Sequence, residues 1–266
     1  MSCKFSIIIV SLNAGEELKK TVESVRRQTF KDYEIIVKDG CSKDGSTDFL
    51  KDAEDVCFVQ EPDDSIYDGM NAALKYIHGE YVIFLNCGDR LYAKDVLEKS
   101  VRFMQKKAAD IYYGNLYRRE LGSTDVYPDH ISDFTAFRNV PCHQACIYRS
   151  ALLKGKAYDL RFKVRADYEH FLRCIYRYDA RSAHMPFVLS DYEGGGFSET
   201  ALNKKISTKE HRVITDKYLG KKASFYRLVM IITLQPLREK LAGSRRFSEA
   251  YHKIKARIYS IGGKRD

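Results

Sequence analysis

Residues 79–91, GEYVIFLNCGDRL, decide the class of fold that the chain can form. The run Tyr81–Leu85 is apolar throughout, which is typical of a strand buried on both faces of a parallel sheet. It ends in the polar turn Asn86–Asp89, and a carboxylate in such a turn lies where open α/β sheets bind ligands. An ordinary Asn-Gly-Asp turn has the same local sequence, so the neighbouring segments must decide between the two readings.

The first ninety residues alternate between strand patterns and helix patterns. The predicted strands are Phe5–Val10, Tyr33–Lys38, Val56–Gln60 and Tyr81–Leu85, and the predicted helices are Glu16–Arg27, a short helix ending at Leu50, and Ser65–Ile77. This alternation predicts a parallel sheet with right-handed crossovers. No GxGxxG motif follows the first strand, which argues against a dinucleotide-binding domain.

Beyond residue 91 the periodicity is less regular. We predict helices at Asp95–Lys106 and Tyr168–Tyr176, strands at Asp110–Tyr117, Ser123–Tyr127, Ala145–Tyr148 and Pro186–Leu189, and helix from Ala201 onward. The predicted fold class is α/β, with a Rossmann-like, mostly parallel central sheet flanked by helices and a helical C-terminal extension.

The composition fits one sizeable domain with an appendage. The 266 residues are 44% hydrophobic, which suits a packed globular protein. Seven Cys without a CxxC pair, and a sequence that opens directly into a strand pattern, lead us to expect a cytoplasmic protein with reduced thiols. Residues 200–266 carry 17 Lys and Arg against 5 Asp and Glu, whereas residues 1–199 carry 28 against 31, so the basic charge belongs to the extension.

Polar residues follow three of the predicted strands. Ser11 and Asn13 follow the first, Asp39 the second, and Asn86 and Asp89 the fourth. Parallel strands bring their carboxyl ends to one edge of the sheet, so these side chains are expected to share a crevice. Hard divalent cations take carboxylate oxygens together with substrate phosphate oxygens, so the pattern predicts a metal-assisted or nucleotide-binding site.

The order of these motifs resembles the family 2 glycosyltransferases. The resemblance covers roughly residues 4–200 and rests on SIIIVSLNAG (6–15), VKDGCSKDGS (37–46), EPDDSIYDGMNAAL (61–74), GEYVIFLNCGDRL (79–91), RADYEHFLR (165–173) and YEGGGFS (192–198). It implies a GT-A fold, a nucleotide-diphosphate-sugar donor, Mn²⁺ or Mg²⁺ as cofactor, and an inverting displacement.

On the donor side, the resemblance assigns Asp39 to the nucleotide base, with Ser11, Asn13 and Gly40 in the same pocket. Asp68 and Asn71 are also expected at the donor. They stand one turn apart on a predicted helix, where polar side chains point to solvent by default.

The turn Asn86–Asp89 falls where the family has its DxD-type motif. Asp89 is therefore expected to bind the metal that bridges the donor diphosphate. Asn86 replaces a carboxylate of the family pattern, which predicts either a weaker metal site or a contact from Asn86 to the ribose or the donor sugar.

Asp167 matches the family's catalytic base, which takes the proton from the acceptor hydroxyl. The family usually has Glu-Asp at this point, whereas this chain has Ala166 before the Asp. Without the resemblance, Asp167 would be interpreted as the N-cap of the helix that follows.

Two further segments match the acceptor side or a lid. His143 and Gln144 lie where the family places residues near the acceptor, although a lone His is as often a structural residue. Gly194 and Gly195 predict either a flexible turn or a lid that closes over the diphosphate.

We therefore divide the chain into a catalytic domain, 1–200, and a basic helical extension, 201–266. Within the domain, residues 1–91 form the nucleotide-binding half and residues 92–200 the acceptor-binding half. The extension is expected either to lie on an anionic membrane surface or to pack on the catalytic domain or on a second subunit of a homodimer. No nucleic-acid motif accompanies its charge, so a nucleic-acid partner is not expected.

The predicted function is inverting transfer from a nucleotide-diphosphate sugar, with UDP favoured, to a glycan or lipid-linked acceptor. The predicted setting is bacterial capsule, exopolysaccharide or O-antigen synthesis, with the protein peripheral on the inner membrane face. Two alternatives stay open. One is a sugar nucleotidyltransferase, which would need a basic loop after the first strand, and the other is a sugar-nucleotide-binding protein without turnover, for which Asn86 and Ala166 are the only hints.

Overall fold

The computed structural model describes residues 3–154, 157–194 and 200–232. The strands are β1 (Phe5–Ser11), β2 (Tyr33–Asp39), β3 (Val56–Gln60), β4 (Tyr81–Asn86), β5 (Arg90–Leu91), β6 (Ile111–Arg118), β7 (Ser123–Asp125), β8 (Cys146–Arg149) and β9 (Ser182–Tyr192). The α-helices are α1 (Glu16–Arg26), α2 (Ile66–Ala73), α3 (Val96–Met104), α4 (Asp133–Arg138), α5 (Ala166–Arg177), α6 (Ala201–Leu219) and α7 (Lys221–Ile232).

The strands form one sheet in the order β3-β2-β1-β4-β8-β6-β9-β5, with β7 paired to β6. Strands β1 to β4 pair in parallel, with Ile8 opposite Ile36 on one side and Phe84 on the other. β8 runs antiparallel to β4 and β6, and β9 returns parallel to β6. The predicted α/β class and the parallel nucleotide-side sheet are confirmed.

The apolar runs of the first four strands reflect burial on both faces of the sheet. On one face Ile8 and Phe84 pack under α2 and α5, and on the other Ile7 and Leu85 pack under α1 and α3. A strand covered by helices on both sides needs apolar residues at every position, because successive side chains point to opposite faces.

The bounds of two predicted elements, one helix and one strand, were wrong. The helix expected at Ser65–Ile77 ends as α-helix at Ala73 and continues as a 3-10 turn over Leu74–Tyr76. The strand expected at Pro186–Leu189 runs from Ser182 to Tyr192. Its pairing with β6 shifts register around Pro186, where a bulge accommodates a residue that has no N–H to donate.

Helix α4 was not predicted from the sequence. It is only six residues long, so its periodicity is too short to recognise. Its N-cap, Ser132, accepts a hydrogen bond from the backbone N–H of Thr135.

The first part of the C-terminal extension packs on the catalytic body. The buried Glu169 of α5 accepts hydrogen bonds from Lys217 and Tyr218 of α6. One of the alternatives considered for the extension, packing on the same chain, therefore holds for α6 and α7, while residues 233–266 lie outside the described residues. None of the described helices is long and apolar enough to cross a membrane.

Glu210 ties α6 to the loop that precedes α5. Its carboxylate accepts hydrogen bonds from three consecutive backbone N–H groups, those of Lys163 (2.7 Å), Val164 (3.0 Å) and Arg165 (2.8 Å). Glu210 and its hydrogen bond to the N–H of Val164 are buried, so water does not replace the carboxylate at that donor. The extension thereby fixes the segment that leads directly into Asp167.

We expect Glu210→Ala to lower the free energy of unfolding by about 2–3 kcal/mol, because one buried and two partly buried N–H groups lose a charged acceptor. Urea unfolding followed by circular dichroism measures this change. Lys205→Ala, an exposed position on the same helix, is the matched control and should change stability by less than about 0.5 kcal/mol. Equal effects of the two substitutions would contradict the anchoring role of Glu210.

Candidate functional site

The loops after β1 and β2 are joined at the carboxyl edge of the sheet. The backbone N–H of Gly40 donates to Ser11 O at 2.9 Å. Asn13 N donates to Ser42 Oγ at 2.7 Å, and Asn13 Oδ1 accepts from Lys43 N at 2.9 Å. The structure thus brings the predicted residues Ser11, Asn13 and Gly40 together.

Asp39 lies directly opposite Ser11 in the β1–β2 register. Its fully buried carboxylate accepts hydrogen bonds from the N–H and the hydroxyl of Ser42, at 2.7 and 2.5 Å, and from Gln60 Nε2 at 3.0 Å. Ser11 Oγ is buried and has no hydrogen-bond partner among the described residues. At this edge of the sheet the Asp39 carboxylate therefore has three hydrogen-bond donors, whereas the Ser11 hydroxyl has no partner among the described residues.

A buried ion pair that the sequence analysis missed supports this edge. Lys38 Nζ donates to Asp63 Oδ2 at 2.7 Å and to the carbonyl of Glu61 at 2.6 Å. A Cβ atom added to Gly40 or Gly69 would lie 3.0 Å from Asp63 Oδ2. The Asp63 carboxylate thus fills the space that both glycines leave. The signal in the sequence was a Lys that directly follows the apolar run Ile35–Val37 within a strand.

Asp68 and Asn71 are used within the fold. Asp68 Oδ2 accepts from Asp64 N at 3.1 Å in the turn that begins α2. Asn71 donates to Tyr158 O and accepts from Tyr158 N, both at 2.9 Å. Asn71 therefore uses its amide to hold the chain at Tyr158, and the structure does not join it to Asp39 or Asp89.

Asp89 is buried between two elements that are distant in sequence. Its Oδ2 accepts from Gln144 Nε2 at 2.9 Å, and its Oδ1 accepts from the N–H of Glu193, just after β9, at 3.1 Å. Burial raises the pKa of Asp89 to about 6, although both hydrogen bonds act in the opposite direction. A positive charge placed beside Asp89 would therefore stabilise the ionised form of its carboxyl group.

The turn around Asp89 is closely packed. Gly88 has φ +97°, and a Cβ there would overlap the Glu193 carboxylate. Arg119 donates to Gly88 O at 3.3 Å and pairs with Asp191. The buried Asn86 Oδ1 has no hydrogen-bond partner among the described residues, so this turn holds a second oxygen that is free to act as a ligand.

Asp167 lies in the first turn of α5, after the N-cap residue Arg165, so the N-cap interpretation was wrong. Its Oδ1 accepts from Tyr67 OH at 3.1 Å and from Tyr168 N at 2.8 Å, and its Oδ2 accepts from His143 Nδ1 at 3.0 Å. Burial raises the pKa of Asp167, but the hydrogen bond and the charge of His143 outweigh it, so the pKa lies below its ordinary value. Asp167 is thus held as an ionised acceptor.

The adjacent residues His143 and Gln144 connect the two carboxylates. His143 bonds Asp167, and Gln144 bonds Asp89. Cys142 Sγ donates to Gln144 Oε1 at 2.6 Å, which turns the amide N–H toward Asp89. His143 Nε2 is buried and has no partner among the described residues.

Cys142, His143 and Asp167 are the described residues whose ligand atoms lie close enough together, within 4.8 Å, to form a three-residue metal group. Asp89 is not one of them. The predicted metal ligand and this group are therefore two different candidate sites for a cation.

A cavity of about 560 Å³ opens beside Asp167. Its wall includes Tyr127, Val140 and Tyr168 as well as Arg118 and Arg165. Such a cavity suits a ligand with both apolar and polar surface.

The predicted lid residues lie after β9. Gly194 has φ +95°, and a Cβ there would lie 2.6 Å from Glu120 Oε2. Gly195 lies outside the described residues.

A parallel sheet with polar strand ends at one edge, and an ionised carboxylate beside a cavity, form the candidate active site. The glycosyl transferase family 2 model matches residues 6–176. A PGL/p-HBAD biosynthesis glycosyltransferase of Mycobacterium bovis is 31% identical over 215 residues, which cover 76% of this chain and 82% of the relative. The chain belongs to glycosyl transferase family 2 and is a glycosyltransferase.

A putative teichuronic acid biosynthesis glycosyltransferase of Bacillus subtilis, TuaG, is 35% identical over 109 residues, 39% of this chain and 42% of the relative. TarS of S. aureus in complex with UDP has a TM-score of 0.63 at 18% identity, over 85% of this chain and 74% of that chain. The mannosyltransferase PcManGT of Pyrobaculum calidifontis, in complex with GDP-Man and Mn²⁺, has a TM-score of 0.60 at 13% identity, over 98% and 86%. These structures confirm the predicted GT-A fold.

We expect Asp89 to make the free enzyme less stable as pH rises. Between pH 4 and pH 6 the carboxyl ionises in the unfolded chain but keeps its proton in the folded one, so the folded state binds more protons and the free energy of unfolding falls. A pKa raised from 3.8 to about 6 corresponds to about 3 kcal/mol over this range.

Urea titrations of wild type and Asp89→Asn at pH 4 to 7.5, without divalent cations, measure this contribution. The difference between their unfolding free energies isolates it from other titrating groups. Asp52→Asn, at an exposed carboxylate, should reproduce the wild-type curve. A wild-type curve parallel to that of Asp89→Asn would show that Asp89 has an ordinary pKa.

Proposed function

We propose that the protein transfers a sugar from a nucleotide-diphosphate sugar to a hydroxyl of a glycan or lipid-linked acceptor, with inversion at the anomeric carbon. The observation that carries the proposal is the connection of Asp89 to Asp167 through the adjacent residues His143 and Gln144. One carboxylate lies at the carboxyl end of β4, where α/β sheets bind ligands, and the other lies beside a cavity.

The donor is expected along the β1–β2–β4 edge, with its base at Asp39, Ser11 and Asn13. The backbone N–H of Gly40 joins the two loops there through its hydrogen bond to Ser11 O. UDP is favoured because TarS structures contain UDP and UDP-GlcNAc, but PcManGT contains GDP-Man on a similar fold. Asp68 and Asn71 stay predictions for the donor contact.

Mn²⁺ or Mg²⁺ fits the residues at the β4 turn. Asp89 offers a buried carboxylate with a raised pKa, and Asn86 offers an amide oxygen without a partner, which are the hard oxygen ligands that these ions prefer. Bound there, the ion would supply positive charge for the departing diphosphate. The Mn²⁺ in PcManGT supports this choice.

Asp167 is the proposed base, and it takes the proton of the acceptor hydroxyl as that oxygen attacks the anomeric carbon. His143 positions the carboxylate through Nδ1 and keeps it ionised. Oδ1 accepts two hydrogen bonds, from Tyr67 and the N–H of Tyr168, whereas Oδ2 accepts only that of His143, so Oδ2 is the oxygen that receives the acceptor proton. Ala166 contributes no carboxylate of its own, which leaves Asp167 as the acceptor of the proton.

The setting we propose is bacterial surface-glycan synthesis, such as capsule, exopolysaccharide or O-antigen. The relatives named for PGL/p-HBAD and teichuronic acid biosynthesis support it. We place the enzyme in the cytoplasm, peripheral on the inner membrane face, with Gly194 and Gly195 as a lid and a homodimer as a further expectation.

Nucleotide and metal binding can be tested together by thermal unfolding in the presence of UDP, GDP, dTDP or CMP, each with and without Mn²⁺. We expect UDP to raise the midpoint most, and Mn²⁺ to increase that shift, because ligands of the folded state stabilise it. Asp89→Ala should abolish the Mn²⁺ increment, and Asp52→Ala should keep it. A panel in which no nucleotide shifts the midpoint would overturn the proposed donor class.

Asp167→Asn should reduce release of the nucleoside diphosphate from the donor by about 10²- to 10⁴-fold, the range for loss of a general base. His143→Gln should instead move the acidic limb of the pH–rate profile to higher pH, since burial would then raise the pKa of Asp167 without opposition from the His charge. His130→Gln, at an exposed His, is the control. An unchanged acidic limb in His143→Gln would argue that His143 has only a packing role.

A further inference from the structure

A second, cationic cavity of about 470 Å³ lies where α4, α6 and α7 meet. Three arginines line it, Arg138, Arg165 and Arg227, and no Asp or Glu is among its described lining residues. Guanidinium groups gathered around a cavity are the arrangement that proteins use to bind phosphate.

The three arginines are poorly neutralised by the protein. Arg138 donates to the sulfur of Met230 at 3.2 Å, and Arg165 donates to the hydroxyl of Ser207 at 2.8 Å. Among the described residues only Arg227 has a carboxylate partner, Asp216 at 2.5 Å. The cavity therefore keeps an excess of positive charge that a bound anion would balance.

His211, which also lines this cavity, is held neutral. Its Nε2 hydrogen-bonds Phe137 O at 2.8 Å. Burial, followed by the charge of Arg165, lowers the pKa of His211 to about 4. The surrounding positive potential is thus large enough to act on a neighbouring side chain.

An apolar face of α7 borders the cavity. Phe225, Leu228 and Ile231 stand at i, i+3 and i+6 and are 61, 54 and 67% exposed. Ala223 and Met230, on the other side of the helix, pack against Phe137. The exposed face is thus not the face that holds α7 on the protein, and Ile231 belongs both to it and to the cavity wall.

We propose that the Arg138–Arg165–Arg227 cavity binds the phosphate headgroup of an anionic membrane lipid, with the exposed face of α7 inserted at the bilayer surface. Charge complementarity identifies this occupant, since cations beside an apolar helix face match a surface that presents phosphates above acyl chains. The inference rests on the proposed function for its setting, an enzyme whose acceptor lies at a membrane.

Arg165 connects the proposed lipid site with the surroundings of the candidate base, Asp167. It lines both the cationic cavity and the cavity beside Asp167, and it stands two residues before Asp167. Its guanidinium also lies over the Tyr168 ring, 5.4 Å from the centroid. A headgroup bound at Arg165 therefore brings the cavity beside Asp167 to the bilayer surface.

The test is co-sedimentation of the full chain with vesicles of phosphatidylcholine alone or with phosphatidylglycerol added. We expect binding to the anionic vesicles, reduced about tenfold or more in Arg138→Gln/Arg227→Gln and in Phe225→Ser/Leu228→Ser. Lys106→Gln/Lys107→Gln removes the same charge from exposed positions after α3 and should bind like wild type. If both test variants bind like wild type, the lipid site is wrong, whatever residues 233–266 contribute.

Two further measurements keep the outcomes distinct. One outcome is that inorganic pyrophosphate stabilises wild type but not the arginine variant, while neither protein binds vesicles. This outcome would contradict the lipid proposal and would indicate that the cavity binds a soluble anion instead. The nucleotide-induced thermal shift should be equal in wild type and both variants, which shows that they fold. That shift also separates failure of the lipid site from failure of the proposed donor chemistry. The α7 substitutions are at exposed positions, so loss of binding in them is not a loss of core packing.

Discussion

The site depends on two hydrogen bonds made by neighbouring residues. His143 and Gln144 belong to one short turn, and they reach Asp167 at the start of α5 and Asp89 at the end of β4. Each carboxylate is buried or partly buried, and each needs donors to stay in place. Because the two donors are adjacent in sequence, the distance between the carboxylates is set by a single rigid piece of chain.

The environments of these carboxylates push their pKa values apart. Burial is the largest influence on the pKa of both carboxylates. At Asp89 it outweighs the hydrogen bonds and raises the pKa, whereas at Asp167 the hydrogen bond and the charge of His143, with the remaining donors, together outweigh it and lower the pKa. The two carboxyl groups are thereby suited to different roles. A cation would stabilise the ionised form of Asp89, whereas Asp167 is already ionised and can receive a proton. Helix α6 contributes to this division although it lies outside the matched family segment, since Glu210 holds the backbone that leads to Asp167.

The sequence was sufficient to predict β1 to β4 and the clustering of Ser11, Asn13 and Asp39, because unbroken apolar runs and polar strand ends are local signals. It was not sufficient for Glu210, for the Lys38–Asp63 pair or for the partner of Gln144, which contact residues 45, 25 and 55 positions away. Such contacts depend on how layers pack, and no local periodicity encodes them. Asn71 illustrates the same limit, since its motif predicts a donor contact and nothing in the local sequence indicates the two hydrogen bonds that its amide makes with the backbone of Tyr158.

The Asp63 carboxylate also constrains how this chain can vary. It occupies the space beside both Gly40 and Gly69, and neither glycine has a left-handed backbone that would itself demand the absence of a side chain. The absence of a side chain at the two glycines therefore leaves room for the carboxylate of Asp63, and that carboxylate pairs with the ammonium group of Lys38. These four positions should covary as one unit among homologous chains: a change at Asp63 would release both glycines and leave a buried ammonium without its counter-charge.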